Sequence, residues 1–183
     1  MGNHHDNFDL FNSSVHLWNT TKVGPNKDLV GEFAAAARRQ NLKWMVSVHT
    51  YRSKEWFKPA FGSDSEGPKK GIPYDGNLTR ADGKGKWWEG LDPQQLYANK
   101  YEAFEKELTQ RHLDLVINYR PDVIYFDDSI IPPPIMAACE RLYKDSLKEH
   151  GSIQTIITVK KPIPGTVLDY EKGVAEGIRD DYW

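Results

Sequence analysis

The sequence predicts an α/β fold, a partial (β/α)8 barrel of parallel strands with a long aromatic-rich insertion. Apolar runs typical of buried strands alternate with helical patterns, and the connecting segments lengthen where the strands end. A complete barrel takes about 250 residues. The 183 residues are therefore expected to form one partial catalytic domain, 1–183, that lacks strands at both ends. An open doubly wound sheet is the alternative, but no Gly-rich phosphate-binding fingerprint is present.

The first half of the chain contains one helix, one strand and a long insertion. Asp28 can cap a helix that runs to about residue 41, because apolar residues recur at helical spacing after it. The apolar run 42–49 predicts a largely buried strand that ends at His49. Residues 50–90 are rich in Gly, Pro and aromatic side chains, so we expect an ordered loop over a site.

The second half repeats the alternation of helix and strand. A helix is predicted to begin at Asp92-Pro93 and to continue until just before Arg120-Pro121. The apolar run 123–126 is predicted to form the central strand. A helix from about 135 to 150 and a strand over 153–159 follow it.

Composition narrows the classes of partner. The chain has 24 Lys and Arg against 26 Asp and Glu, with no basic block, so a nucleic-acid surface is not predicted. No run of roughly 18 apolar residues is present, so no membrane partner is expected. The opening residues do not form a signal peptide, and the single Cys139 excludes an internal disulfide, so the compartment stays unknown.

Two carboxylates directly follow the central strand. Asp127 and Asp128 come after the apolar run 123–126, and the carboxyl ends of parallel strands are where catalytic groups gather. The alternative is that one of them caps a turn before the prolines at 132–134. His49 ends the preceding strand and is expected near the same rim, unless it is a satisfied core histidine.

The paired His4 and His5 near the start of the chain have three possible roles: a metal site, hydrogen bonds to a ligand, or an expression tag. Adjacent histidines in an extended segment point to opposite faces, and no second His/Cys cluster supplies a closed site, so no metal site is predicted. Only two histidines occur and a native-looking run follows them, so ligand binding is the preferred interpretation.

Carboxylate chemistry is the reaction class that the residues favour. No Gly-x-Ser-x-Gly elbow is present, whereas glycoside cleavage needs two carboxyl groups that flank the bond. Asp127 suits the role of the group that attacks or stabilises the anomeric carbon, with Glu89 or Glu171 as candidate partners. Trp56 and Trp88 could stack on a sugar, or could form the local core of the insertion.

Several motifs together resemble one enzyme family. They occur in the order His4-His5-Asp6-Asn7-Phe8-Asp9, Trp18-Asn19, Lys86-Trp87-Trp88-Glu89-Gly90 and Arg120-Pro121-Asp122-Val123-Ile124-Tyr125-Phe126-Asp127. In this combination the chain resembles the α-L-fucosidases of glycoside hydrolase family 29.

The resemblance implies a retaining exo-α-L-fucosidase that removes terminal α-L-fucose from fucosylated oligosaccharides or polysaccharides, with no cofactor and no metal. It implies that Asp127 is the nucleophile and that His4 and His5 bind fucose hydroxyls. His49 stands near a position often taken by an aromatic sugar contact. The family's acid/base lies after the nucleophile, near Glu171 or beyond Trp183. The resemblance also suggests a secreted, periplasmic or lysosomal protein, and a C-terminal β-sandwich that is absent from this chain.

Two other functions stay open at this point. A barrel fragment or degenerate homologue could bind sugar without cleaving it. A metal-dependent hydrolase could use His4, His5 and Asp127.

Overall fold

Four parallel strands form one sheet in the computed structural model, which describes residues 1–98, 102–128, 133–161, 163–169 and 177. The strands lie in the order in which they occur in the chain. They are β1 (Met45–Val48), β2 (Val123–Phe126), β3 (Ile156–Val159) and β4 (Val167–Leu168). Val48 lies opposite Phe126, which lies opposite Val159. The strands therefore end together, and the residues that follow them meet at one edge of the sheet.

The first residues of the chain lie along the other side of β1. The backbone N–H of Gly2 donates to the carbonyl of Ser47 at 2.7 Å, and Asn3 forms a parallel bridge with Val48. Because β2 already occupies one side of β1, this pairing places the N-terminal segment on the opposite side. His4 and His5 thus reach the same edge of the sheet as the ends of the strands.

The long helices cover one face of the sheet. They are α1 (Leu29–Arg39), α4 (Phe104–Tyr119) and α5 (Pro133–His150). Alternate strand residues pack against them, because successive side chains of a strand point to opposite faces. The buried strand residues are Val46, Val48, Ile124, Phe126, Ile157 and Val159.

The opposite face of the sheet is more open to solvent. Met45 is 58% exposed and Ile156 is 46% exposed, and Ser47 and Tyr125 are half-buried. In a (β/α)8 barrel the helices lie outside and this face lines the interior. The prediction of a partial (β/α)8 barrel is confirmed.

The prediction of a single helix from residue 93 to residue 119 is wrong. The structure has two helices here, α3 (Pro93–Tyr97) and α4, and Ala98 ends α3 with a left-handed φ of 59°. The side-chain amide of Asn7 donates to the carbonyls of Gln95 and Leu96 at 3.0 and 2.9 Å. A continuing helix would use these carbonyls for its own hydrogen bonds, so tertiary contacts compete with helix propagation.

The insertion is built from short helical turns. These are α2 (Ser53–Trp56) and two 3-10 turns, Lys58–Phe61 and Arg80–Gly83. Trp88 anchors the later part, because it packs in a buried cluster with Trp18 and Val23. Among the described residues, no helix combines the length and the hydrophobicity that a membrane span requires.

Candidate active site

Polar residues follow four neighbouring extended segments at one edge of the sheet. His4 and His5 follow the N-terminal segment, His49 follows β1, Asp127 and Asp128 follow β2, and Lys160 follows β3. The backbone N–H of Asp127 donates to the Val48 carbonyl at 2.9 Å, so pairing between the strands fixes the start of this segment.

Three imidazole rings lie against one another. The centroid of the His49 ring is 3.8 Å from that of His5 and 4.9 Å from that of His4. The indole of Trp56 stacks on His5, with the ring centroids 5.1 Å apart and an interplanar angle of 16°. Trp56 is 61% exposed, so much of its surface is available to a ligand.

A turn explains why His4 and His5 share one side of the segment. The sequence interpretation placed them on opposite faces of an extended strand, and that expectation is wrong. Their ring centroids lie 4.6 Å apart. The backbone N–H of Asn7 donates to the His4 carbonyl at 3.0 Å, and Asn7 has a positive φ of 57°. The chain therefore bends immediately after the pair.

Two side chains bind Asp127, and a third lies beside it. The ammonium of Lys160 forms an ion pair with Oδ1, and the Tyr125 hydroxyl donates to the same oxygen at 3.2 Å. The second oxygen, Oδ2, lies 3.4 Å from Nδ1 of His49. Burial by itself raises the pKa of Asp127, but Lys160, His49 and Tyr125 together hold this pKa below its usual value. The carboxyl group is therefore ionised at neutral pH.

The imidazoles of His5 and His49 are neutral at neutral pH. Burial lowers the pKa of His49 to about 4, assisted by the neighbouring His5 and opposed by Asp127. Burial, followed by the neighbouring His4, also lowers the pKa of His5. A neutral imidazole offers one donor and one acceptor, which suits the recognition of sugar hydroxyls.

Asp128 is the most enclosed group at this edge. Its side chain is 1% exposed, and its Oδ1 lies 3.7 Å from Nε2 of His49. Among the described residues, neither oxygen has a hydrogen-bond partner. The sequence interpretation placed Asp128 with Asp127 at the carboxyl end of the strand, with a turn cap as the alternative for either residue.

A buried polar network holds the N-terminal segment against α4. Arg111 donates to both carboxylate oxygens of Asp9 and to Oδ1 of Asn7, at 2.6 to 3.0 Å. Asn3 donates to Asp9 at 3.0 Å and accepts a hydrogen bond from Thr50 at 3.0 Å. The sequence interpretation missed Arg111, although its position on the apolar stripe of the helix, between Leu108 and Leu115, is a signal of a buried charge.

Trp88 and Glu89 lie away from this site. Trp88 is 7% exposed and belongs to the cluster with Trp18 and Val23. Glu89 accepts a hydrogen bond from the backbone N–H of Gly85 at 3.1 Å on the surface of the insertion. Glu171 lies outside the described residues. The structure thus brings together His4, His5, His49, Trp56 and Asp127.

The three imidazoles also form the arrangement that could hold a metal ion. One ring nitrogen from each of His4, His5 and His49 lies within 4.8 Å of the others. Neutral imidazoles are common ligands of zinc, copper and nickel. Beside them, however, the ammonium of Lys160 contacts Asp127 and would repel a cation bound between the carboxylate and the rings.

The family model and the curated relatives that match this chain all point to one family. A model of the Alpha-L-fucosidase family matches residues 1–182. The chain is 32% identical to mouse tissue alpha-L-fucosidase over 127 residues, which are 68% of this chain and 21% of that protein. It is 31% identical to the human tissue enzyme over 126 residues, again 68% of this chain and 20% of that protein. The chain therefore spans about a fifth of the length of the curated relatives that it matches.

Solved structures agree at the level of the fold. The alpha-fucosidase of Thermotoga maritima in complex with fucose superposes with a TM-score of 0.51 at 22% identity, over 89% of this chain and 32% of that chain. A Thermotoga maritima alpha-L-fucosynthase in complex with a fucose disaccharide azide gives a TM-score of 0.54 at 19% identity, over 94% and 33%. The family match covers nearly the whole sequence, so this chain belongs to the alpha-L-fucosidase family.

Proposed function

We propose that the protein that contains this chain is a retaining exo-α-L-fucosidase, which removes terminal α-L-fucose from glycans through a covalent glycosyl-enzyme on Asp127. One observation carries the proposal. Asp127 follows β2 at the carboxyl edge of the sheet, is kept ionised by Lys160 and Tyr125, and faces the histidine cluster through His49. A partly buried, ionised carboxylate surrounded by polar side chains suits attack on an anomeric carbon.

The two oxygens of Asp127 differ in their contacts. Oδ1 is bound by Lys160 and Tyr125, whereas Oδ2 has only the longer 3.4 Å contact with Nδ1 of His49, so we infer that Oδ2 makes the attack. As the bond between Oδ2 and the anomeric carbon forms, the glycosidic bond breaks and the leaving oxygen takes a proton from a second carboxyl group. Water, activated by that same group, then releases fucose. A retaining enzyme requires the two carboxyl groups to lie about 5–5.5 Å apart. Glu171 stays one candidate for the second group, which the family resemblance puts near Glu171 or beyond Trp183.

The side chains around Asp127 suit the binding of a deoxy sugar. Hydroxyl groups of fucose can pair with the ring nitrogens of His4, His5 and His49, which lie within 4.8 Å of one another. The exposed indole of Trp56 offers an apolar surface next to His5 for the methyl group and ring face of the sugar.

Substitution of the nucleophile tests the proposal in the full-length protein. Asp127→Ala is expected to abolish cleavage of an aryl α-L-fucoside while far-UV circular dichroism is unchanged. Added azide should restore turnover and give a fucosyl azide of inverted configuration, because the small anion fits the space left by the carboxylate. Asp145→Ala is the matched control, since Asp145 lies on the surface of α5, paired with Arg141.

Two results would contradict the assignment. Near-normal turnover by Asp127→Ala would show that another group attacks the sugar. Fucose binding by calorimetry without any hydrolysis in the wild type would instead indicate a non-catalytic carbohydrate-binding homologue.

The three neighbouring imidazoles favour one alternative, a metal-dependent hydrolase that uses His4, His5 and Asp127. The two mechanisms differ in their response to chelators. Removal of a catalytic metal by EDTA abolishes metal-dependent hydrolysis, whereas hydrolysis through a glycosyl-enzyme on Asp127 needs only carboxyl groups and continues.

A further inference from the structure

A buried imidazole lies behind the turn that carries His4 and His5. Nδ1 of His16 lies 2.6 Å from Oε1 of Glu107, and Nε2 lies 2.7 Å from the backbone carbonyl of Asn7. The side chain of His16 is fully buried, and that of Glu107 is 8% exposed. His16 therefore connects α4 to the turn, with one hydrogen bond at each ring nitrogen.

The two partners of His16 determine where the hydrogens lie. A backbone carbonyl only accepts, so Nε2 of His16 carries a hydrogen and donates to Asn7. Nδ1 and the Glu107 oxygen would both be acceptors if no proton lay between them, and their lone pairs would repel each other at 2.6 Å. The contact between His16 and Glu107 therefore holds one further proton.

The neighbouring charges agree with this proton count. Arg111 binds Asp9 at 2.6 Å, and both side chains are fully buried. Nη1 of Arg111 lies 4.0 Å from Oε1 of Glu107, so the two ion pairs form one cluster. Two carboxylates and one guanidinium would leave this cluster with a net negative charge, which is costly away from water. The proton between His16 and Glu107 balances that charge.

Asn7 is the residue at which this cluster meets the proposed sugar site. Its backbone N–H donates to the His4 carbonyl at 3.0 Å, and its φ of 57° lies in the left-handed region. A residue other than glycine keeps such a conformation only where the surrounding contacts determine it. Arg111 donates to the side-chain oxygen of Asn7, and His16 donates to its carbonyl. His16 thus helps to hold the turn that places His4 and His5.

We propose that His16 and Glu107 share one proton, and that this bridge is a positioning element that keeps His4 and His5 in place to bind the sugar. Both side chains are too deeply buried to touch a substrate, so they act through the backbone of Asn7. The inference rests on the proposed function, because it takes His4 and His5 as groups that bind fucose. Loss of the bridge releases the Asn7 carbonyl, and fucose then binds less tightly.

The first test removes the bridge in the full-length protein. His16→Phe keeps a planar ring in the same space but supplies no N–H to the Asn7 carbonyl. KM for an aryl α-L-fucoside and Kd for fucose should both rise about 3- to 10-fold, the value of one hydrogen bond. Calorimetric titration gives the fraction of protein that binds fucose, and kcat per binding site should stay near the wild-type value.

A core residue outside the cluster provides the matched control. Leu142 on α5 is 4% exposed and packs in the main hydrophobic core. Leu142→Ala destabilises the fold, which lowers the fraction of active protein and the apparent kcat. KM and Kd do not depend on that fraction, so they should not change. If His16→Phe lowers only the active fraction, as Leu142→Ala does, its role is structural and the inference is overturned.

The second test asks whether the bridge needs a proton. Glu107→Gln keeps the shape, and its amide N–H can donate to Nδ1 of a neutral His16. Its amide oxygen can still accept from the side chain of Gln95, which donates to Glu107 at 3.0 Å in the wild type. KM should therefore stay within about twofold of the wild-type value.

Glu107→Met has a similar length but no N–H, so KM should rise as in His16→Phe. Equal KM values for Glu107→Gln and Glu107→Met would overturn the shared proton. If His16→Phe fails to fold, this pair of variants carries the test, because both leave the imidazole in place.

Parallel measurements separate this inference from the proposed function. If the wild-type protein neither cleaves the fucoside nor binds fucose, the proposed function fails and the inference fails with it. If Asp127→Ala stays active while His16→Phe raises KM, only the assignment of the nucleophile fails. If the wild type cleaves and binds while His16→Phe keeps its KM and Kd, only the role of His16 fails.

Discussion

Arg111 on α4 forms a two-point ion pair with Asp9 in the N-terminal segment. Nη2 lies 2.6 Å from Oδ1, Nε lies 3.0 Å from Oδ2, and both side chains are fully buried. The pair connects a helix on the outside of the sheet to the segment that carries His4 and His5. The geometry of the candidate active site therefore depends on a contact in which neither histidine takes part.

The first prediction concerns this pair. Arg111→Met should lower the free energy of unfolding by about 3–5 kcal/mol, because it leaves the Asp9 carboxylate buried without its cation. Activity should also fall, since the turn that holds His4 and His5 loses its anchor. Denaturant unfolding of the full-length protein measures the stability change.

An exposed ion pair provides the control for Arg111→Met. Arg141 pairs with Asp145 one turn along α5, and both side chains are partly exposed to solvent. Arg141→Met should cost at most about 1 kcal/mol. Equal effects of the two substitutions would show that the buried network contributes no special stability.

The second prediction concerns the cation beside the nucleophile. The pKa of Asp127 is held below its usual value, so the carboxylate stays ionised as the pH falls. Lys160→Met removes the ammonium and raises that pKa, so protonation begins at a higher pH. The acid limb of the kcat/KM profile should move to higher pH, with a greater loss of activity at acidic than at neutral pH.

Lys43→Met is the matched control, because Lys43 pairs with Asp122 at the opposite, amino end of the strands. Its profile should follow that of the wild type. An acid limb that stays in place in Lys160→Met would mean that Lys160 does not set the ionisation of the nucleophile.

The third prediction separates two tryptophans that the sequence grouped together. Trp56 is 61% exposed and stacks on His5, whereas Trp88 is 7% exposed in the cluster with Trp18. Trp56→Ala should raise KM about 3- to 10-fold, the value of one aromatic contact, with little change in stability. Trp88→Ala should instead cost about 3–5 kcal/mol of stability. Steady-state kinetics and thermal unfolding of both variants distinguish the roles, and the reverse pattern would restore Trp88 as the sugar contact.

The sequence was most informative where local patterns determine structure. The apolar run of β2 placed Asp127 at the end of a buried strand, and the structure has it there. His49 followed from the same reasoning on β1. Long-range contacts determined the features that the sequence did not predict. The side chain of Asn7 donates to carbonyls at the end of α3, where the local sequence would otherwise favour continuation of the helix.

Neighbouring strands also supply groups that a linear pattern does not connect. Lys160 directly follows β3 and lies 34 positions after Phe126 in the chain. It nevertheless contacts Asp127, because β3 pairs with β2 in register. Asp128 was predicted at the same strand end as Asp127, and only the fold shows that it is enclosed beside His49. Pairing of strands and burial are properties of the sheet, so they could not be inferred from either residue alone.

The last prediction concerns added metal ions. His4, His5 and His49 present three neighbouring ring nitrogens, and the pKa of His49 is lowered to about 4, so His49 is a neutral ligand at neutral pH. Nickel or zinc should therefore inhibit hydrolysis competitively with fucose, and EDTA should restore it. Inhibition should weaken as the pH falls toward 4, because protonated His49 cannot coordinate.

His49→Gln should reduce the inhibition, whereas replacement of His150, which lies at the end of α5, should not. If EDTA instead abolished the activity of the untreated protein, the rings would hold a metal that the reaction requires, and the metal-dependent alternative would replace the mechanism proposed for Asp127.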